Sequence, residues 1–165
     1  MMHHIYISVG SNIDRETHTV AGLQAMYDEF GDLQLSSVYE SEAVGFEGSH
    51  FYNLVVGAKT AHSVEDVCKI LKSIETANGR IRGEKKFAPR TLDLDLLLYD
   101  DMITQQGVIL PREEIEYNAF VLLPLSEIAA DVVHPTRQKS IGALWQDYDN
   151  QQQKLWKIDF NWSPL

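Results

Sequence analysis

Apolar residues follow two periods along the chain, one suited to strands and one to helices. Ile5-Tyr6-Ile7-Ser8-Val9 is rich in β-formers and stops at the turn cluster Gly10-Ser11-Asn12. From Glu16 to Phe30 the residues Val20, Leu23, Met26, Tyr27 and Phe30 recur at helical spacing, and Gly31 follows as a stop. Leu33 to Tyr39 predicts a strand, residues 43–50 a turn-rich connection, and Phe51 to Thr60 another strand. Ser63 opens a second helix. Asp66, three residues on, gives a near capping box, and Val67, Ile70, Leu71 and Ile74 form a stripe that ends before Gly79. Leu92 to Tyr99 predicts a fourth strand. Tyr117 to Ile128 has a helical period that Pro124 opposes, and residues 146–154 are polar enough for a loop or tail.

The order β-α-β-β-α-β, followed by a mixed tail, matches the ferredoxin-like split βαβ motif. The expected fold class is therefore α+β. One domain spans residues 1–165, with helices packed on one face of an antiparallel sheet. Hydrophobic residues at 44% and charged residues at 23% exclude general disorder. The 14 Lys and Arg against 24 Asp and Glu give a net charge of −10, a field that repels nucleic acid and anionic membrane. Cys68 is the only cysteine, which leaves no intrachain disulfide and no thiolate metal cage. No apolar run approaches the roughly 18 residues of a membrane helix, and MMHHIYISVG has neither the cations nor the apolar length of a signal peptide. A cytoplasmic location is expected.

One stretch reverses the field. Residues 80–90 carry Arg80, Arg82, Lys85, Lys86 and Arg90 against Glu84 alone. A cationic run usually only solvates a surface, but the next strand changes that reading. In Thr91-Leu92-Asp93-Leu94-Asp95-Leu96-Leu97-Leu98-Tyr99, alternation puts Leu92, Leu94, Leu96 and Leu98 on one face and Asp93, Asp95 and Leu97 on the other. Aspartate is depleted in strands, and like charges on one face repel. A divalent cation removes that penalty, because carboxylates at i and i+2 stand about 7 Å apart and can flank it. Hard oxygen donors without His or Cys favour Mg²⁺ over Zn²⁺. Carboxylates and cations together describe a metal-bound polyphosphate, of which ATP is the leading candidate. Neither GxxxxGK[ST] nor GxGxxG occurs, so neither of those phosphate cradles is used.

Gly10-Ser11-Asn12, Phe51-Tyr52-Asn53, Gly79-Arg80-Ile81-Arg82, Pro89-Arg90-Thr91-Leu92-Asp93-Leu94-Asp95, Phe120-Val121-Leu122 with Pro124-Leu125, and Val133-His134-Pro135 occur in that order. This series resembles the 6-hydroxymethyl-7,8-dihydropterin pyrophosphokinase family of folate biosynthesis. GR-x-R…PRTLDLD is its most specific part. The resemblance implies an ATP-dependent diphosphotransferase in which the pterin hydroxymethyl oxygen attacks the β-phosphorus of MgATP and AMP leaves. It implies two Mg²⁺ ions on Asp93 and Asp95, and catalytic roles for Arg80, Arg82 and Arg90. It assigns ATP binding to Glu75, Arg82, Lys86, Arg90 and Arg112. It assigns pterin binding to Ser41, Val44, Phe51, Asn53 and Phe120. The 80–90 segment would be a lid, and the protein a monomer.

Five positions depart from the family pattern. Ser41-Glu42-Ala43 stands where the family has T-x-P, and Phe87 where it has Trp. Arg112 stands where it has His, and Asn118 where it has Arg. The alternative within the class is a divergent paralogue acting on a related pterin, or one that binds pterin or ATP with little turnover. An RNA-binding module of the same topology is opposed by the −10 charge and by the lack of an RNP-like string. A regulatory ligand-binding domain would bind ATP without forming AMP. His3, His4, His18, His50 and His62 show no metal-ligand grouping and are expected at the surface, and His134 is expected to be structural.

Overall fold

The computed structural model describes residues 1–41, 50–79, 91–149 and 154–165. Eleven elements follow in order: β1 (His3–Ser11), α1 (Arg15–Phe30), β2 (Gln34–Leu35), β3 (Val38–Ser41), β4 (Phe51–Thr60), α2 (Val64–Ala77), β5 (Asp93–Tyr99), α3 (Glu114–Tyr117), α4 (Ala119–Ala129), α5 (Ile141–Asp147) and β6 (Leu155–Ile158). The described strands form one antiparallel sheet in the order β5-β1-β4-β3-β6, with β2 also pairing β4. Ser63 caps α2 as expected, its Oγ accepting the Asp66 N–H at 3.2 Å. The strand expected over Leu33–Tyr39 is split. Ser36 Oγ accepts the Val55 N–H at 2.9 Å, so a side chain occupies the place of a ladder carbonyl between β2 and β3.

Helices cover both faces of the sheet, not one. Ile5, Ile7 and Val9 of β1, Leu54 and Val56 of β4, and Leu94 and Leu96 of β5 join Leu23 and Met26 of α1 and Val67, Leu71 and Ile74 of α2 in a first core. Tyr6, Val55, Leu97 and Leu98 join Ile115, Val121, Leu122, Leu125 and Ile141 in a second. Burying both faces explains why α4 tolerates Pro124: it is apolar on nearly all sides, and packing outweighs the local cost. Leu98 lies on the face opposite to the one alternation gives it. Ile7 pairs with Leu96 and Tyr6 with Leu98, so Leu97 is an extra residue at a bulge, and the parity of β5 flips there. Asp93 and Asp95 precede the bulge and keep the predicted shared face.

The tail holds more order than expected. Gln146 and Asp147 end α5, and β6 extends the sheet beside β3. Three histidines expected at the surface are half-buried and partnered: His3 Nδ1 lies 2.7 Å from Asp100 Oδ2, His18 Nδ1 lies 2.9 Å from Asn78 Oδ1, and His50 contacts Glu40. His134 is buried, and its Nδ1 accepts the Arg137 N–H at 3.1 Å, as a structural residue of the turn would. Among the described residues no helix is long and apolar enough to cross a membrane.

Candidate active site

Asp93 and Asp95 stand on β5, an outer strand of the sheet. Asp93 pairs with Gly10 and Asp95 with Ser8 across to β1. Leu94, between them, turns into the first core and donates its N–H to Glu75 Oε2 at 2.8 Å. The carboxylate of α2 thus caps the strand that carries the aspartates, and Glu75 is buried. On the aspartate side, Arg112 Nη2 lies 3.1 Å from Asp95 Oδ1 and Arg112 Nε lies 3.3 Å from Glu114 Oε1. The Arg112 backbone N–H donates to the Leu97 carbonyl at 3.0 Å, which ties the backbone that carries this guanidinium to the bulge.

These residues line a cleft of about 670 Å³ along β5, together with Cys68, Lys69 and Lys72 of α2, residues 106–109, and Tyr117. Apolar groups, three cations and six carboxylates among the described residues share its wall, an arrangement suited to a flat ring whose phosphates carry a divalent cation. Burial pushes the Asp95 carboxyl up to about 7, the charge of Asp93 adds to the rise, and Arg112 opposes it. Among the described residues, burial and the neighbouring carboxylates thus outweigh Arg112 at Asp95. Among the described residues no group of three His, Cys, Asp or Glu forms a ready-made metal cage. Two carboxylates fit Mg²⁺ nonetheless, since that ion takes one or two carboxylates and fills its remaining positions with water and substrate phosphates.

The second half of the site lies on the same sheet face. One row of paired residues runs Asp93, Gly10, Asn53, Tyr39 across β5, β1, β4 and β3. Asn53 is therefore two strands from Asp93, about 10 Å at the usual spacing. Its Nδ2 donates to Ser41 Oγ at 2.7 Å, and both side chains are buried. This bond fixes the amide rotation. A Cβ added at Gly10 would lie 3.3 Å from Asn53 Oδ1 and 3.8 Å from Phe51 Cδ1, so only glycine keeps the floor between the two halves low. Phe51 starts β4 on this face, and Phe120 packs from α4 against the second core, both half-buried. Tyr39 is buried, and its hydroxyl is pushed up by burial and by neighbouring Glu127 of α4.

Asp93, Asp95, Glu75 and Arg112 thus meet in one cleft, while Ser41, Phe51 and Asn53 share the adjoining floor. Arg80, Arg82, Lys86, Arg90 and Val44 lie outside the described residues, as do Glu42, Ala43 and Phe87. Asn118 sits between α3 and α4 and is not among the cleft-lining residues, whereas Tyr117 is. Sequence reasoning missed Glu114, Lys69, Lys72 and the Glu127–Tyr39 contact. The signal for the α2 residues was present: Cys68, Lys72 and Glu75 recur at i, i+4 and i+7 on one helical face. Glu114 meets Arg112 two residues away, a local spacing that names no site by itself, and Glu127 meets Tyr39 only through a tertiary contact.

An acidic pair with one guanidinium at a sheet edge, next to a fixed amide, suits the class of proteins that handle a phosphorylated nucleotide beside a second small molecule. Comparison with known proteins narrows the class. Residues 6–130 match the family described as 7,8-dihydro-6-hydroxymethylpterin-pyrophosphokinase, or HPPK. The 2-amino-4-hydroxy-6-hydroxymethyldihydropteridine pyrophosphokinase of Aquifex aeolicus is 33% identical over 141 residues, covering 83% of this chain and 87% of the relative. The enzyme of the same name from Bacillus subtilis is 36% identical over 132 residues, covering 77% and 78%. The chain belongs to the HPPK family. Among solved structures, an HPPK-DHPS in complex with substrates superposes with a TM-score of 0.72 at 14% identity, over 90% of this chain. Wild-type Plasmodium falciparum HPPK-DHPS with pteroate superposes at 0.73 and 14%. The chain spans 44% and 42% of those two longer chains, and the likeness is one of fold.

Proposed function

We propose that the protein transfers the diphosphate of MgATP to the hydroxymethyl oxygen of 6-hydroxymethyl-7,8-dihydropterin, releasing AMP, as a step of folate biosynthesis. Family membership supports the reaction class. The observation that supports the site is the row Asp93, Gly10, Asn53, which carries an acidic pair and a fixed amide on one face of the sheet. In this reading Asn53 and Ser41 read the polar edge of the pterin, and Phe51 and Phe120 flank its rings. The hydroxymethyl group would then point along the Gly10 floor towards β5. Its oxygen bonds to the β-phosphorus, the bond from that phosphorus to the α,β-bridging oxygen breaks, and AMP leaves with the bridging oxygen. The hydroxymethyl proton is lost to solvent.

Asp93 and Asp95 would hold Mg²⁺, one or two ions, which when bound neutralises charge on the phosphate oxygens. Arg80, Arg82, Lys86 and Arg90 would supply further cations to the phosphates, and Glu75 and Arg112 would line the nucleotide side. Arg112 already sits 3.1 Å from Asp95, so it can give a phosphate oxygen part of the charge that the family's usual residues supply. The order β5-β1-β4-β3 supports the ferredoxin-like description of this catalytic domain, and the protein would act as a cytoplasmic monomer. Mass spectrometry of the pterin after incubation with MgATP tests the reading. A product heavier by two phosphoryl groups is expected, and one heavier by a single group would overturn it.

A further inference from the structure

The sheet face opposite Asn53 carries a cluster that the reaction itself does not use. Trp156 pairs with Glu40, and Glu40 with Tyr52, across β6, β3 and β4. Glu40 uses both carboxylate oxygens. Oε1 lies 2.9 Å from Arg15 Nη2, at the start of α1, and Oε2 accepts the Trp156 Nε1–H at 3.1 Å. Arg15 makes two further contacts: Nη1 donates to the His50 carbonyl at 2.8 Å, and the guanidinium lies 4.2 Å from the Tyr52 ring centre. The His50 ring closes the group edge-on to Trp156, with centres 5.3 Å apart. Glu40 is only 18% exposed and Arg15 30%, so their ion pair is partly shielded from solvent, while the Trp156 bond closes the group on the solvent side.

Each central member alternates with residues of the substrate face. Glu40 stands between Tyr39 and Ser41, and Tyr52 between Phe51 and Asn53. Side chains of successive strand residues point to opposite faces, so a group that clamps Glu40 and Tyr52 from below fixes the backbone that aims Ser41, Phe51 and Asn53 above. We infer that Arg15, Glu40, His50 and Trp156 are positioning residues for the pterin subsite, and that the C-terminal strand β6 is the strap that completes them. The inference rests on the pterin reading of Asn53 and its neighbours. The clamp sits three and four strands from β5, counted from β3 and β6, so it has no direct route to the nucleotide cleft.

The test uses the full chain carrying Trp156→Phe, which keeps the ring against His50 but removes the bond to Glu40. Glu40→Gln keeps an acceptor for Trp156 while ending the ion pair with Arg15. Pterin affinity is measured by calorimetry with α,β-methylene ATP and Mg²⁺ present, and KM for each substrate and melting temperature are measured alongside. Each variant is expected to weaken pterin binding and raise pterin KM by about five- to twentyfold. ATP KM and kcat at saturating pterin should stay within about twofold, with a small change in melting temperature. In the pair Arg15→Ala with Glu40→Gln, the double variant should lose little more than Arg15→Ala alone, since that change already removes the Arg15–Glu40 pair. Unchanged pterin affinity in both Trp156→Phe and Glu40→Gln would overturn the inference. So would equal losses for pterin and ATP that track a fall in stability. A wild-type protein that binds ATP but no pterin would instead overturn the functional reading, and this inference with it.

Discussion

Replacing Asp95 with Asn should stabilise the metal-free protein at alkaline pH while abolishing turnover. In the fold the Asp95 carboxyl titrates at about 7 against an ordinary 3.8. The shift is upward, so the stability linked to it is present below about pH 4 and is lost as pH rises through 7. A rise of about 3 units corresponds to about 4 kcal/mol lost by pH 8. Asn carries no charge and escapes that loss. That figure is already net of the pair with Arg112, which opposes the rise, and in the variant Glu114 remains 3.3 Å from the Arg112 Nε. The gain at pH 8 is therefore about 4 kcal/mol, or about 8–16 °C in melting temperature for a chain of this size. At pH 5 Asp95 keeps its proton in the fold but is already ionised in the unfolded chain, so the gap should narrow to about 1.6 kcal/mol. The assay is thermal melting of both proteins in chelator at pH 5 and pH 8, then at pH 8 with Mg²⁺ and α,β-methylene ATP. Ligand at ten times its Kd adds about 1.4 kcal/mol to whichever protein binds it, so the wild type should recover about a third of the difference. Asp95→Asn melting below wild type at pH 8 in chelator would refute the reasoning, because the Arg112 pair would then outweigh the repulsion from Asp93.

Three further outcomes are expected. Gly10→Ala places a Cβ 3.3 Å from Asn53 Oδ1 and should raise pterin KM about fivefold, leaving ATP KM unchanged in steady-state kinetics. Asn53→Ala strips the buried Ser41 hydroxyl of its 2.7 Å donor; it should cost about 1–2 kcal/mol of stability by denaturant unfolding and remove most pterin binding by calorimetry. Arg82→Ala should lower kcat by about 10²–10³ with melting temperature within a few degrees, and a stability loss as large as the activity loss would make Arg82 a structural residue.

The parts of the fold that depend on local pattern could be read from the sequence. Phe51–Thr60 forms β4 at the predicted bounds, and Ser63 caps α2, because alternation and capping are short-range effects. Leu98 could not be placed, since alternation gives no sign of an extra residue and only the pairing of Tyr6 and Ile7 with β5 reveals the bulge. Ser36 reads as one polar residue in a strand until its hydroxyl is seen bonded to Val55. The second helical layer was hidden for a different reason. α4 is apolar on nearly every side, so its sequence shows no face and does not say which sheet surface it covers.

At the site, the aspartate pair was legible because two charges in an apolar strand conflict with β-propensity and call for a compensating cation. The row that joins Asp93 to Asn53 through Gly10 was not legible, as it depends on the register of three strands far apart in sequence. Glu40 likewise reads as an ordinary polar residue. Its partners Arg15 and Trp156 lie 25 and 116 positions away, and no local rule connects them.

The most direct measurement of the central claim follows the bridging oxygen. ATP labelled with heavy oxygen between the α- and β-phosphorus is turned over with 6-hydroxymethyl-7,8-dihydropterin and Mg²⁺, and the products are read by phosphorus NMR. The label should appear wholly in AMP, formed one for one with the pterin diphosphate and only when pterin is present. Pterin-dependent ADP, or AMP free of label with the heavy oxygen lost to the other product, would contradict attack at the β-phosphorus on this site.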